Sequence, residues 1–377
     1  MIHWPYHDET EVKAVAKVLR SGLTNYWSEG SHGQLFEQEF AAYTGASYAL
    51  TVTNGTAALE LALFGLGLNE LDPSQDHTGW EIIVPCRTFM ATASAVVTAG
   101  CVPVLADINP DTLNVDVKML EARRTPRTVA VIVVHYAGFP CDMESILFWA
   151  KKYNIIVIED CAHAHGARIK GQHVGTFGHV GCFSFCVGKI MSTGGEGGMV
   201  ITNDEGVHKR MGARRDHGRY QIMGSKDLTQ FKWGVEEFGT NLRMTEMQSV
   251  IGRIQLTKLD GWVNRRNDIA AEYDAIFQKI NGRKPLQVRK GFIHARYMHM
   301  TVTDDRDRRL KALQDMDIPA RLGGCPNIGH EPVFHGTAAP CPQADEVGRW
   351  TLSLPVYPTM TDVDVDNVLK AVEEVCA

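Results

Sequence analysis

The chain has 377 residues, 44% of them hydrophobic, with 38 Lys and Arg against 44 Asp and Glu. That length supports two domains with a full core, and a net charge of −6 argues against the basic face of a nucleic-acid-binding protein. Nine cysteines, an odd count without a C-x-x-C pair, argue against a disulfide framework and for reduced thiols.

The opening stretch, MIHWPYHDETEVKAV, carries acids where a signal peptide has a basic end. No uncharged apolar run reaches the roughly 18 residues of a membrane helix. A soluble cytoplasmic protein without a membrane segment is expected. Glu11 to Arg20 reads as a helix stopped by Ser21-Gly22. ALTVT, Ala49 to Thr53, reads as a strand, and TAALELALFG, Thr56 to Gly65, as a helix rich in Ala and Leu. Glu81 to Val84 and Val102 to Ala106 read as strands, with a helix over Ala91 to Ala99 between them. VAVIVVH, Val129 to His135, and IIVIE, Ile155 to Glu159, are almost continuously apolar, as strands covered on both faces are. A helix near Met143 to Tyr153 joins them.

Strand, helix and strand with short connections give right-handed crossovers and a mostly parallel sheet. After about residue 250 comes a long charged helical stretch, Val250 to Ile280, then short strands and a last helix, Val363 to Val375. The expected fold class is α/β. A large domain over 1–250 has a mostly parallel central sheet flanked by helices, and a smaller C-terminal α+β domain covers 251–377.

Parallel sheets place ligands at the carboxyl ends of their strands, and three motifs fall there. T-N-G-T, Thr53 to Thr56, closes a strand and opens a helix, where backbone N–H groups and the helix dipole favour phosphate. Gly55 permits close approach, and the plainer alternative is a turn capped by Thr56. E-D-C-A-H-A-H-G-A, Glu159 to Ala167, puts Asp160 at a strand tip, where a buried carboxylate needs a cation. A protonated pyridine nitrogen is one such cation, and His163 can cover an aromatic ring. Asp160 as a helix cap, or a metal site from Asp160, His163 and His165, is the alternative; no further ligand set completes the metal site.

S-F-C-V-G-K-I-M-S-T-G-G-E-G-G, Ser184 to Gly198, holds a lone lysine, Lys189, in a stretch poor in charge. A desolvated lysine has a lowered pKa and can form a Schiff base with an aldehyde. Ser184 can donate to a phosphate, and the glycines let the chain fold tightly around a flat ligand. The alternative is a flexible loop with a solvated lysine. Together the three motifs supply the parts that pyridoxal phosphate requires.

In these motifs the chain resembles the DegT/DnrJ/EryC1/StrS aminotransferases, fold-type-I pyridoxal phosphate enzymes that mostly aminate keto sugars. The resemblance runs nearly end to end. It also includes P-C-R-T-F-M-A-T-A at Pro85 to Ala93, H-Y-A-G-F-P-C-D-M at His135 to Met143 and G-T-N-L-R-M-T-E-M-Q at Gly239 to Gln248. The resemblance implies that Lys189 holds the cofactor and moves protons, and that Asp160 partners the pyridinium nitrogen. It places His163 against the ring, Gly55, Thr56 and Ser184 on the phosphate, and Phe89 near the ring. Asn241 matches an asparagine that reaches the cofactor phosphate of a neighbouring subunit, which implies a homodimer with shared sites. Arg243 and His330 are candidate substrate contacts, although R-L-G-G-C-P-N-I-G-H, Arg321 to His330, departs from the more usual segment ending in His-Tyr-Pro.

The implied reaction moves an amino group from L-glutamate, or glutamine, to a keto sugar, nucleotide-linked, in amino-sugar biosynthesis. A cyclitol-ketone aminotransferase, a pyridoxal-phosphate-dependent sugar dehydratase, an amino-acid aminotransferase and a non-catalytic paralogue are the rival readings. The dehydratases of the family carry a histidine in place of the lysine, and Lys189 is present here.

Overall fold

The computed structural model describes residues 4–25, 30–69, 79–219, 235, 237–281 and 289–376. A seven-stranded sheet organises the first two thirds. Its strands are β1 (Tyr48–Val52), β2 (Glu81–Pro85), β3 (Val102–Ala106), β4 (Thr128–Val134), β5 (Ile156–Asp160), β6 (Val180–Ser184) and β7 (Gly198–Thr202). The order across the sheet is β1-β7-β6-β5-β4-β2-β3. Six strands run one way; β7 is antiparallel to both neighbours, β1 and β6.

Alternation along each strand feeds two cores, one on each face. Ile82, Val84, Ala130, Ile132, Ile158, Cys182 and Val200 join the first. Ile83, Val131, Val133, Val157, Phe183 and Met199 join the second. Both faces are covered, which is why β4 and β5 read as unbroken apolar runs. Helices Gly55–Gly65 and Ala91–Thr98 cover one face; His32–Thr44 and Met143–Tyr153 cover the other.

The first helix spans Glu9–Ser21, starting earlier than Glu11 because Asp8 and Glu11 form a capping box. The phosphate-motif helix starts at Gly55 because Asn54 is its cap, accepting from the Ala57 N–H at 2.9 Å. The long helix, Glu246–Asn281, threads both parts of the molecule. Leu256, Leu259 and Val263 join the sheet core, whereas Ile269, Tyr273, Ile276 and Phe277 join a third core. That third core lies beneath β8 (His299–Val302), β9 (Arg321–Leu322) and β10 (Thr351–Leu354), an antiparallel sheet in the order β8-β10-β9, together with the last helix, Asp362–Cys376. Among the described residues, no helix is long and apolar enough to cross a membrane.

Candidate active site

The carboxyl ends of β5, β6 and β1 bring the chemistry together, with β7 lying between β6 and β1. Asp160, the last residue of β5, is buried. One carboxylate oxygen accepts from Thr92 Oγ1 at 2.9 Å and the other from the Ala162 N–H at 3.1 Å. The one hydroxyl proton of Thr92 goes to Asp160, so Thr88 donates to Thr92 across 2.8 Å. Burial pushes the Asp160 carboxyl above its ordinary range, against these donors and the charge of Lys189. A carboxylate buried this way calls for a cation beside it.

At the end of β1 the chain passes into the helix Gly55–Gly65. A Cβ built on Gly55 would lie 2.5 Å from the Ser184 Cβ at the end of β6. Only glycine allows that approach. First-turn N–H groups lack intrahelical acceptors, so those of Gly55 and Thr56, with the Ser184 hydroxyl, line a cradle suited to phosphate.

Lys189 follows β6 on a tight turn, its N–H donating to the Cys186 carbonyl at 2.9 Å. Its amine lies 5.0 Å from the Tyr297 ring centroid. Burial lowers the Lys189 pKa, and Asp160 is the strongest opposing influence. His163 lies flat on Tyr297, centroids 4.3 Å apart and planes 16° from parallel. Burial, then the Lys189 charge, holds His163 well below its ordinary pKa. It is therefore a neutral ring, with a buried Nδ1 that has no partner among the described residues.

These groups share one cavity of about 910 Å³. Gly55, Thr56, Phe89, Asp160, His163, Ser184 and Lys189 line it, together with Tyr297, Arg321, Cys325 and Tyr357 from the last third of the chain. Phe89 is 65% exposed, an aromatic face open in the cavity wall. The structure does not bring Asn241, Arg243 or His330 into that lining. Asn241 is exposed, bridged to Asp216 through its backbone. The Arg243 guanidinium is engaged by the Asp216 carboxylate, which Arg219 shares. His330 is exposed and sits 2.6 Å from Asp345.

His165 packs against Phe183 and Phe185, and burial drops its pKa to about 3. Among the described residues, the clusters with metal-ligand spacing are Cys86-Asp107-Cys341 and His135-Glu159-Cys161, rather than Asp160 with His163 and His165. Glu159 is saturated by the N–H groups of Gly175, Phe177 and Gly178 and by His135. His135 Nδ1 accepts from the Cys141 N–H, so its proton sits on Nε2 facing Glu159. Asp107 accepts from the N–H groups of Ile108, Gln343 and Ala344. Neither carboxylate is left for an ion.

Sequence reasoning missed Thr92 and Tyr297 as site residues. Thr92 lies in the P-C-R-T-F-M-A-T-A motif, four residues after Thr88, and that spacing at a helix start was a readable signal. Tyr297 is a lone aromatic with no pattern around it.

The sequence profile of the DegT/DnrJ/EryC1/StrS aminotransferase family matches residues 5–373. This chain belongs to the DegT/DnrJ/EryC1/StrS aminotransferase family. It is 34% identical to GDP-perosamine synthase of Escherichia coli O157:H7, over 93% of each chain. Its structure resembles that of an aminotransferase from Psychrobacter cryohalolentis, with a TM-score of 0.92 and 36% identity, covering 99% of this chain and 98% of the other. It also resembles DesV of S. venezuelae in complex with a ketimine intermediate, with a TM-score of 0.86 and 33% identity, covering 97% and 93%. The protein is a pyridoxal-phosphate-dependent aminotransferase. The residues present fit that cofactor: a cradle that a Cβ would fill, a buried carboxylate short of a cation, a neutral ring and a desolvated amine.

Proposed function

We propose that this aminotransferase moves an amino group from L-glutamate, or glutamine, to a nucleotide-linked keto sugar, in making amino sugars for surface glycans or antibiotics. The observation that carries the reading is Lys189, its pKa lowered by burial, in one cavity with Asp160 and the Gly55–Ser184 cradle. The cavity's volume is at the upper end of the ~300–1,000 Å³ of ligand pockets, which leaves room for a sugar beyond a cofactor. The relationship to GDP-perosamine synthase supports a sugar-nucleotide acceptor.

Gly55, Thr56 and Ser184 would hold the phosphate, Asp160 would keep a proton on the ring nitrogen, and His163 and Phe89 would offer aromatic faces to the ring. Bound pyridoxal phosphate supplies an aldehyde for the amine and a ring that accepts electrons. Lys189 first holds the cofactor. Once freed, its neutral amine, favoured by burial, removes the α-carbon proton of glutamate. Asn241, exposed outside the cavity, is available to a second copy of the chain, so the working unit in this reading is a homodimer with shared sites. The seven buried cysteines among nine free thiols support a reducing, cytoplasmic setting. Residues 1–250 carry the cofactor in this reading, and 251–377 supply further lining residues of the same cavity.

The test is the visible spectrum of the cofactor-loaded protein. L-Glutamate bleaches the yellow band of the wild type; Lys189→Ala has no lysine-bound band to bleach. A panel of GDP-, dTDP- and UDP-linked keto sugars then restores it with one member. A band unmoved by glutamate and glutamine overturns the donor assignment, and recovery with simple keto acids alone overturns the sugar acceptor.

A further inference from the structure

The N-terminal segment meets the lysine turn, 185 residues further along the chain. The Trp4 indole N–H donates to the Lys189 carbonyl at 2.9 Å. The same indole meets Trp262 edge-on, centroids 5.2 Å apart and planes at 87°. The Arg266 guanidinium lies 5.1 Å from the Trp4 ring. Arg266 is only 1% exposed and donates through Nη1 to the carbonyls of Arg296, at 3.1 Å, and Val356, at 2.5 Å. Val356 lines the cavity, and Arg296 directly precedes Tyr297. Trp4 thus touches the lysine turn, the long helix, and a cation bonded to the backbone of a residue that lines the cavity.

A second tie runs alongside. Gln255 accepts from the Ser192 N–H at 2.7 Å and donates to His7 Nδ1 at 3.1 Å. Lys258 pairs with Asp8 and Glu11. Residues 4–11 are therefore strapped to the helix Glu246–Asn281, and the lysine turn is strapped to both. Beyond that turn, Gly194 and Gly195 take positive φ values of 86° and 148°, and the Val187 N–H donates to the Gly195 carbonyl at 2.9 Å.

We propose that Trp4 is a positioning residue for Lys189: its indole N–H fixes the lysine's backbone carbonyl and so sets where the amine stands between Asp160 and Tyr297. The inference rests on Lys189 being the cofactor lysine. Proton transfer by a positioned base is sensitive to displacements of about 1 Å, so loosening this carbonyl slows chemistry without removing a group that contacts glutamate.

The test replaces Trp4 with benzothienylalanine, which keeps the indole shape and substitutes sulfur for N–H; Trp4→Phe is the genetically encoded companion. Holoenzymes are compared for cofactor content, Tm, the pH midpoint of the visible band, and the glutamate half-reaction. The expected result is unchanged cofactor content and Tm, a displaced pH midpoint, and a rate lower by about tenfold at unchanged glutamate KM. An unmoved midpoint and rate in the benzothienyl protein overturn the proposal. So does a rate loss matched by lost cofactor or lowered Tm at an unmoved midpoint, which marks Trp4 as structural only. If Phe at position 4 prevents folding, the benzothienyl protein still decides. A Lys189→Ala protein that keeps the wild-type band sinks the lysine assignment itself, a result separate from any Trp4 readout.

Discussion

Gly55 and Ser184 stand so close that no side chain fits between them: a Cβ on the first would be 2.5 Å from the Cβ of the second. Both atoms are fixed to backbone, one at a helix start and one at a strand end. Gly55→Ala therefore has to spread the cradle. Overpacking of this kind costs about 1–3 kcal/mol. If the cost falls on the bound state, pyridoxal phosphate affinity drops roughly 10- to 100-fold. Titration of the visible band with cofactor measures it, and an unchanged affinity would show that the phosphate sits elsewhere.

Thr92 is the one side chain that donates to Asp160 in the described structure. Thr92→Val keeps the shape and deletes the donor. The orphaned acceptor costs about 1–3 kcal/mol, and the Asp160 pKa, already raised by burial, rises further. The expected outcome is a glutamate half-reaction slower by about tenfold with modest change in KM. Single-turnover spectroscopy separates the two.

Asp160 sets activity against stability. With its folded pKa above the unfolded value, the folded apoprotein binds the extra proton. Stability contributed by the protonated form is present below the unfolded pKa and is lost as pH rises through the folded one. Asp160→Asn removes that dependence. At neutral pH the variant apoprotein should melt higher, by roughly 1 °C for each 1 kcal/mol in a chain this large. It should have lost transamination. A melting series from pH 4 to 8 on both proteins checks the sign: the gap between them widens as pH rises.

Arg87 is fully buried and ties the end of β2 to the C-terminal sheet. Its guanidinium donates to the Gly323 carbonyl, to Thr351 Oγ1 at 2.9 Å and to Tyr136 Oη at 3.3 Å. Arg87→Met leaves those three acceptors behind. A loss of about 2–4 kcal/mol is expected from unsatisfied buried partners, read as a fall in the urea midpoint. Arg87→Lys should recover little of it, because a point charge cannot reproduce the fork.

Much of this was legible beforehand. β4 and β5 announced themselves because burial on both faces removes the polar alternation that makes other strands ambiguous. Asp160 and Ser184 were legible because they end strands, and Gly55 because it opens the helix just after β1, where a parallel sheet collects ligands. The direction of β7 was not legible, since a strand's sense depends on partners it meets only in the fold. Nor were Trp4 and Tyr297, whose roles come from contacts far along the chain. Arg243 looked available in sequence, but Asp216 takes up its charge. The long helix shows a further limit: its surface changes partners between Val263 and Ile269 with no break in the helical pattern.

The position of β7 has a consequence for biosynthesis. Tyr48 pairs with Thr202 and Val52 with Gly198, so β1 has no sheet neighbour until the chain is synthesised past Thr202. A ribosome making about 5–20 residues per second leaves that early strand waiting for roughly 8–30 seconds, its edge unpaired. Loop-closure entropy makes such late, distant pairings slow even when both partners exist. The nascent enzyme is thus most prone to self-association in the interval before β7 emerges, and chaperone occupancy on stalled chains should peak there.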